Sequence, residues 1–310
     1  MDRRDFLKSA AVGAAGVLLT GKAVAAEKAV TAGRSEKKSG EPDLVAVRGG
    51  EPAALLDAAL AEFGGIGRFV KSGDRVAIKP NIGWDQPPEM GANTNPELVG
   101  RLVELCMQAG AKEVYVFDRS CDNWVKSYAT SGIRAAAEAA GARVVSGTQR
   151  DEFVEVDVKG ARRMVHPKVQ KLVLECDVFF NVPVLKHHGG AKLTCAMKNL
   201  MGIVWDRQFM HKNDLQQCIA DAALIRRPDL NIVDAYRIMC SGGPRGNASS
   251  VIRKTRSLLA SRDIVAVDTA AAKLIGFPTN SIRHLKNAED LGLGTMALDQ
   301  IDIRRIDLKG

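Results

Sequence analysis

Short apolar runs separated by amphipathic stretches recur from Leu44 onward, and their periods predict strands and helices in alternation. Leu44 to Val47 reads as a strand, Glu51 to Phe63 as an amphipathic helix, and Arg75 to Lys79 as a strand ending in Lys79-Pro80-Asn81. A polar loop from Ile82 to Asn95 leads to Thr94-Asn95-Pro96-Glu97, a helix start with Thr94 or Asn95 as cap and Pro96 in the first turn. That helix runs to Ala109, where Gly110 stops it. Next come a strand over Glu113 to Phe117, a helix from Gly132 to Ala140, and strands over Arg143 to Val145, Phe153 to Val158 and Val178 to Val184. Leu193, Met197, Leu200 and Val204 share a stripe at about 100° per residue, which predicts a helix over Ala191 to Gly202. Trp205 to Lys212 reads as a loop, Asn213 or Asp214 to Ile225 as a helix, Leu230 to Val233 and Thr255 to Ala260 as strands. Asp263 to Ile275 and Asn280 to Asp290 read as helices, and Ile301 to Ile306 as a last strand. This alternation predicts an α/β fold: a doubly wound, mostly parallel sheet with helices on both faces, in one large domain over 44–310.

In such sheets ligands bind beyond the carboxyl ends of the strands. Lys79 and Asn81, Asp118, Lys186 to His188, and Asp234 all fall at predicted strand ends. The stretch from Asp177 to His211 adds Gly189-Gly190, which permit a sharp turn, and then a helix face of Lys192, Thr194, Cys195, Lys198 and Asn199. No acid occurs between Asp177 and Asp206, so this face suits an anion; a solvated lysine face beside a glycine loop is the plainer alternative. Adjacent His187 and His188 point to opposite sides of an extended chain, so one of them at most enters a site. Asp268 lies between apolar neighbours, where a carboxylate must find a partner or act; a local cap is the alternative.

Composition narrows the function. The chain has 310 residues, 46% hydrophobic and 26% charged, ordinary for a globular protein. Its net charge of +8 comes with 5% aromatics and no basic stripe interleaved with them, which argues against nucleic acid and for a small acidic ligand. Met1 to Ala26 places Arg3-Arg4-Asp5-Phe6-Leu7-Lys8 before an apolar Gly/Ala-rich run and Ala23-Val24-Ala25-Ala26, the features of a twin-arginine signal peptide. The translocase of that pathway is thus an expected partner, the destination periplasmic or otherwise exported, and no stable membrane span is expected after cleavage. Residues 27–43 read as a flexible linker. Six cysteines without C-x-x-C provide no iron–sulfur motif; Cys106, Cys176 and Cys218 look like packed thiols, whereas Cys121, Cys195 and Cys240 fall in loops or on the polar face.

The segments VAIKPNIG (76–83), NVPVLKHHGGAKLTCAMKNLMGI (181–203), NIVDA (231–235), SGGPRG (241–246) and SRDIVAVDTAAAKLIGF (261–277) together resemble the domain-of-unknown-function family 362. The resemblance spans nearly all of Leu44 to Phe277. It implies no settled reaction, and a link to iron–sulfur chemistry through the ferredoxin modules that many members carry. Its motif positions here are Lys79, Asn81, Lys186, His188, Thr194, Lys198, Asn199, Gly202, His211, Asp234 and Asp268.

Three functions from different classes fit. In an enzyme acting on a small anion, His188, Lys198 and Asp268 would be the catalytic groups, with Lys79, Asn81, Lys186, Lys192, Thr194 and Asn199 binding the ligand. The cofactor is unknown; a transition metal is the candidate, with His188, His211 and Asp234 as its ligands. The alternative is a non-catalytic carrier of an anionic ligand or metal cofactor, or an accessory redox protein working with an iron–sulfur partner.

Overall fold

The computed structural model describes residues 39–309. The leader and the linker up to residue 38 therefore lie outside the described residues.

The strands are β1 (Leu44–Arg48), β2 (Arg75–Pro80), β3 (Glu113–Phe117), β4 (Arg143–Val145), β5 (Phe153–Glu155), β6 (Lys168–Gln170), β7 (Val178–Val182), β8 (Val184–His188), β9 (Lys192–Thr194), β10 (Leu230–Met239), β11 (Ile252–Ser261) and β12 (Ile303–Asp307). Ten of them form one sheet, ordered β12-β1-β11-β10-β7-β2-β3-β4, with β8 beside β10 and β9 beside β8. Pairing is parallel from β10 through β7, β2 and β3 to β4, and antiparallel where β11 meets β1 and β10. The protein is thus a single α/β domain on a mixed, mostly parallel sheet.

β7 reads Val-Phe-Phe-Asn-Val and is buried at every position, as a central parallel strand covered on both sides must be. Its alternate residues enter two cores. Val178, Phe180 and Val182 pack with Leu98, Leu102 and Cys106 of the Pro96–Gln108 helix, whereas Phe179 packs with Met197, Ile219 and Val265 on the other face. From β2 the chain winds outward to β3 and β4, then returns to lay β7 on the opposite side of β2. This reversal opens a crevice beyond the ends of β2, β3 and β7.

The Pro96–Gln108 helix starts as expected, with Asn95 Oδ1 accepting from Glu97 N at 2.9 Å. Asp214 and Asp263 cap the Leu215–Ile225 and Ile264–Ile275 helices in the same way. Elsewhere tertiary pairing overrides the local pattern. The predicted helix over Ala191 to Gly202 is instead a β8–β9 hairpin turning at Gly189-Gly190, with Lys186 opposite Thr194, followed by a short helix over Ala196–Asn199 and a 3-10 turn over Leu200–Ile203. The predicted strand ending at Val184 is divided at Pro183, and β8 carries on to His188. The expected loop at Trp205 to Lys212 contains a helix, Arg207–Lys212, capped by Asp206 accepting from Phe209 N at 2.9 Å. β10 runs on past Val233 to Met239, so Asp234 sits inside a strand and not at its end. β5 is three residues long and pairs only with β6, outside the main sheet. The helix expected from Asn280 begins at Arg283. Order also begins before Leu44: Glu41 is buried and receives Arg262 Nε at 2.6 Å.

Candidate functional site

At the end of β2 the backbone delivers Lys79, nearly fully buried, into a cage of three acceptors. Its Nζ lies 2.8 Å from Asp118 Oδ1, 2.9 Å from Pro80 O and 3.1 Å from Asn199 Oδ1. Three acceptors match the three N–H bonds of an ammonium. Burial pushes this lysine below its ordinary value, and the Asp118 carboxylate opposes that push. Asp118, just past β3, also accepts from Ile82 N at 2.7 Å and Arg119 N at 2.8 Å, tying the loop after β2 to the end of β3. Asn199 donates to Lys79 O at 3.0 Å and to Asn181 Oδ1 at 2.9 Å, and Asn181 in turn donates to Asn231 Oδ1 at 2.9 Å. A chain of buried side chains therefore runs from β2 across β7 to β10, each satisfied by the next. Gly202 closes over the Lys79–Asp118 pair. A Cβ there would fall inside the contact distance of both side chains, so glycine is required by close approach.

Above this pair lies a cavity of about 240 Å³, lined by Lys79, Asn81, Asp118, Arg119, Cys121, Lys186, His188, Thr194, Lys198, Asn199, Arg207 and His211, among others. A space of that size suits a small molecule. Cationic side chains dominate the lining, with Asp118 the single carboxylate among those residues. Lys186 is also nearly fully buried; its Nζ donates to Ala92 O, and to Asn81 Oδ1 at 3.3 Å. Burial, with Lys198 and Lys79 nearby, brings it down to about 7. Lys198 is different. Its one hydrogen-bond partner among the described residues is the thioether of Met201, at 3.3 Å, and burial brings it down to about 8. Thr194 Oγ1 is buried in the same lining with no partner among the described residues.

His188 Nδ1 accepts from Ala191 N at 3.0 Å, which assigns the ring proton to Nε2. Burial, then Lys198 and Lys186, lower it to about 3, so the imidazole is neutral across the physiological range and offers an N–H donor. A general base at this ring would need the nitrogen that Ala191 already occupies. His211 reaches the cavity from the Arg207–Lys212 helix, and burial lowers it below the ordinary histidine value. Arg207, from the first turn of that helix, is anchored on Arg119 O and Ser120 O, each at 2.7 Å.

A model of the family described as "Domain of unknown function (DUF362)" matches residues 76–273, which include every residue lining the cavity. The chain belongs to the DUF362 family. Residues 1–20 match the twin-arginine translocation pathway signal sequence, so this DUF362 chain is directed to export. It is 29% identical over 264 residues to the thylakoid-associated protein sll1697 of Synechocystis sp., covering 81% of this chain and 78% of that protein. Among solved structures it is similar to the lactate racemase apoprotein from Thermoanaerobacterium thermosaccharolyticum, with a TM-score of 0.44 and 10% identity over 77% of this chain. The chain spans 58% of that structure's length. Among the described residues no helix is long and apolar enough to cross a membrane.

Within this DUF362 chain the structure brings together Lys79, Asn81, Lys186, His188, Thr194, Lys198, Asn199 and His211, and leaves three of the expected residues elsewhere. Asp268 is fully buried away from the cavity, its carboxylate accepting from Ala196 N at 2.7 Å and Met197 N at 3.0 Å. It caps the helix that presents Lys198, and burial pushes it up to about 6. Asp234 accepts from Asn95 N at 2.7 Å and Tyr236 N at 2.9 Å, which fixes the start of the Pro96–Gln108 helix. The metal set of His188, His211 and Asp234 is thereby broken up. Among the described residues no three His, Cys, Asp or Glu side chains converge as a metal requires, so the donors do not fit a protein-held transition metal. Lys192 is exposed at the hairpin turn with φ +63° and takes no part in the lining. Cys195 is buried, not on a polar surface. Arg119 and Arg207 are the cations that sequence pattern missed. Arg119 directly follows a strand-end acid, whereas Arg207 sat in a segment read as a loop.

Proposed function

We propose that this exported protein binds a small phosphate- or carboxylate-bearing molecule in the cavity and that Lys198 acts on it by proton transfer. One observation carries the reading: a lysine whose partner among the described residues is a thioether lines the same cavity as a buried threonine hydroxyl with none, so two donors await an acceptor that the described residues do not supply. Lys186, the His188 Nε2–H and the two arginines add positive charge and donors around them. An ammonium near its transition at neutral pH can both hold an anion and exchange a proton with it. The place of action is the periplasm or beyond, following the leader.

Calorimetry with inorganic phosphate, short phosphorylated compounds and small carboxylates tests this reading on the full chain. Binding of one class is expected, weakened at least about tenfold, or about 1.4 kcal/mol, in Lys198→Met. Absence of binding across the panel, or equal binding by Lys198→Met, overturns it. Turnover of a bound compound that is lost in Lys198→Met separates an enzyme from a carrier.

A further inference from the structure

The six cysteines are all free, and they divide sharply by surroundings. Cys106, Cys176, Cys195 and Cys218 are buried, and Cys240 donates to Ile238 O at 3.7 Å. Cys121 is exposed and lines the cationic cavity. Its backbone N–H bonds Gly83 O at 2.8 Å, so the loops after β2 and β3 hold the residue at the strand ends. Arg207 Nη1 donates to its Sγ at 3.3 Å, from a guanidinium that Arg119 O and Ser120 O fix in place. An N–H aimed at sulfur puts positive charge where a thiolate carries its negative charge. The Thr194 hydroxyl in the same lining, buried with no partner among the described residues, marks the cavity as a ligand's place.

We propose that Cys121 is a nucleophile of this cavity, and that its substrates are small anions with an electrophilic carbon close to the carboxylate or phosphate. The proposal rests on the anion-binding reading above. The chemistry balances without a co-reactant. The exposed thiol releases its proton to solvent, and a lone pair of the resulting thiolate forms the S–C bond. The electron pair of the bond broken at that carbon leaves with the departing group, or moves onto oxygen where the carbon is a carbonyl. Lys198 and the His188 Nε2–H line the same space and can hold the charge that develops.

Iodoacetate and iodoacetamide test it on the folded full chain, because both alkylate sulfur with loss of iodide and only the first is an anion. Peptide mass spectrometry reads the rate at Cys121, with glutathione as the reference thiol and Cys121→Ser as the blank. The ratio of iodoacetate to iodoacetamide rates at Cys121 is expected to exceed that of glutathione by about tenfold. Excess phosphate is expected to abolish the excess. A ratio equal to glutathione's, or no labelling of Cys121, overturns the nucleophile. If any compound of the calorimetric panel still binds in that case, the anion site stands alone; if none does, both readings fall.

Discussion

Lys79 and Lys198 line the same cavity and differ in every partner they keep. Lys79 is held by a carboxylate, a backbone carbonyl and an amide oxygen, and the residues holding it are themselves held as far as β10. Lys198 has a thioether. The floor of the cavity is complete without a ligand and the wall is not. A buried charge whose every N–H is matched belongs to the architecture, whereas a cation left short of acceptors belongs to whatever fills the space.

Four changes would break or sharpen this contrast. The largest effect is expected from Asp118→Ala, which leaves Lys79 without its counter-ion in a closed site. Removing one partner of a buried pair costs about 3–5 kcal/mol, so urea unfolding should show a large loss of stability. Stability within about 0.5 kcal/mol of the parent would mean that Lys79 does not depend on the floor. Gly202→Ala follows, since its methyl group would press on Lys79 and Asp118. Overpacking of this kind costs about 1–3 kcal/mol, and the backbone shift it forces should also weaken anion binding in calorimetry.

Third, pH should separate the two lysines. Lys198 binds an anion as its ammonium, so affinity is expected to fall as pH rises through about 8 in the parent and to lose that step in Lys198→Met. The sign for stability is opposite. Its proton is held less tightly in the fold than in the unfolded chain, which binds more protons between about 8 and the ordinary lysine range. The cost of its charge is therefore largest below about 8, and stability lost to it is regained as pH rises above that. Denaturation series at pH 7 and pH 10 on parent and Lys198→Met would detect it. The smallest effect belongs to Lys192→Ala. The side chain lies outside the cavity, so binding and stability should move by no more than about 0.5 kcal/mol, and a tenfold loss of affinity would put Lys192 back in the site.

The family positions 181–203 show how far local pattern reaches. Lys186 and His188 follow a buried apolar run, and the rule that ligands sit beyond strand ends placed them in the site without any tertiary information. Thr194, Lys198 and Asn199 were also picked out, for the wrong geometry. They were expected on the outward arc of one helix, yet Thr194 is a hairpin residue opposite Lys186, and Asn199 faces inward onto Lys79 and Asn181. Helical period was present in the residues, but the chain there pairs β8 with β9 and β10 instead, tertiary pairing overriding the local pattern.

What the sequence determined by itself was the alternation of elements, helix starts at Thr94 or Asn95 and at Asn213 or Asp214, the export leader, and a set of strand-end lysines with few acids nearby. These depend on residues a few positions apart, so short-range periodicity and capping chemistry reveal them. Only the tertiary structure decided which charges were already spent. Asp268 meets Ala196 and Met197, and Asp234 meets Asn95, across separations that no local pattern encodes. Both carboxylates thereby became supports for helices, while Arg207 and Cys121 were brought to the cavity by a helix and a loop whose positions depend on the packed sheet. A buried polar side chain takes its role from its partners, and those partners exist only once the chain has folded.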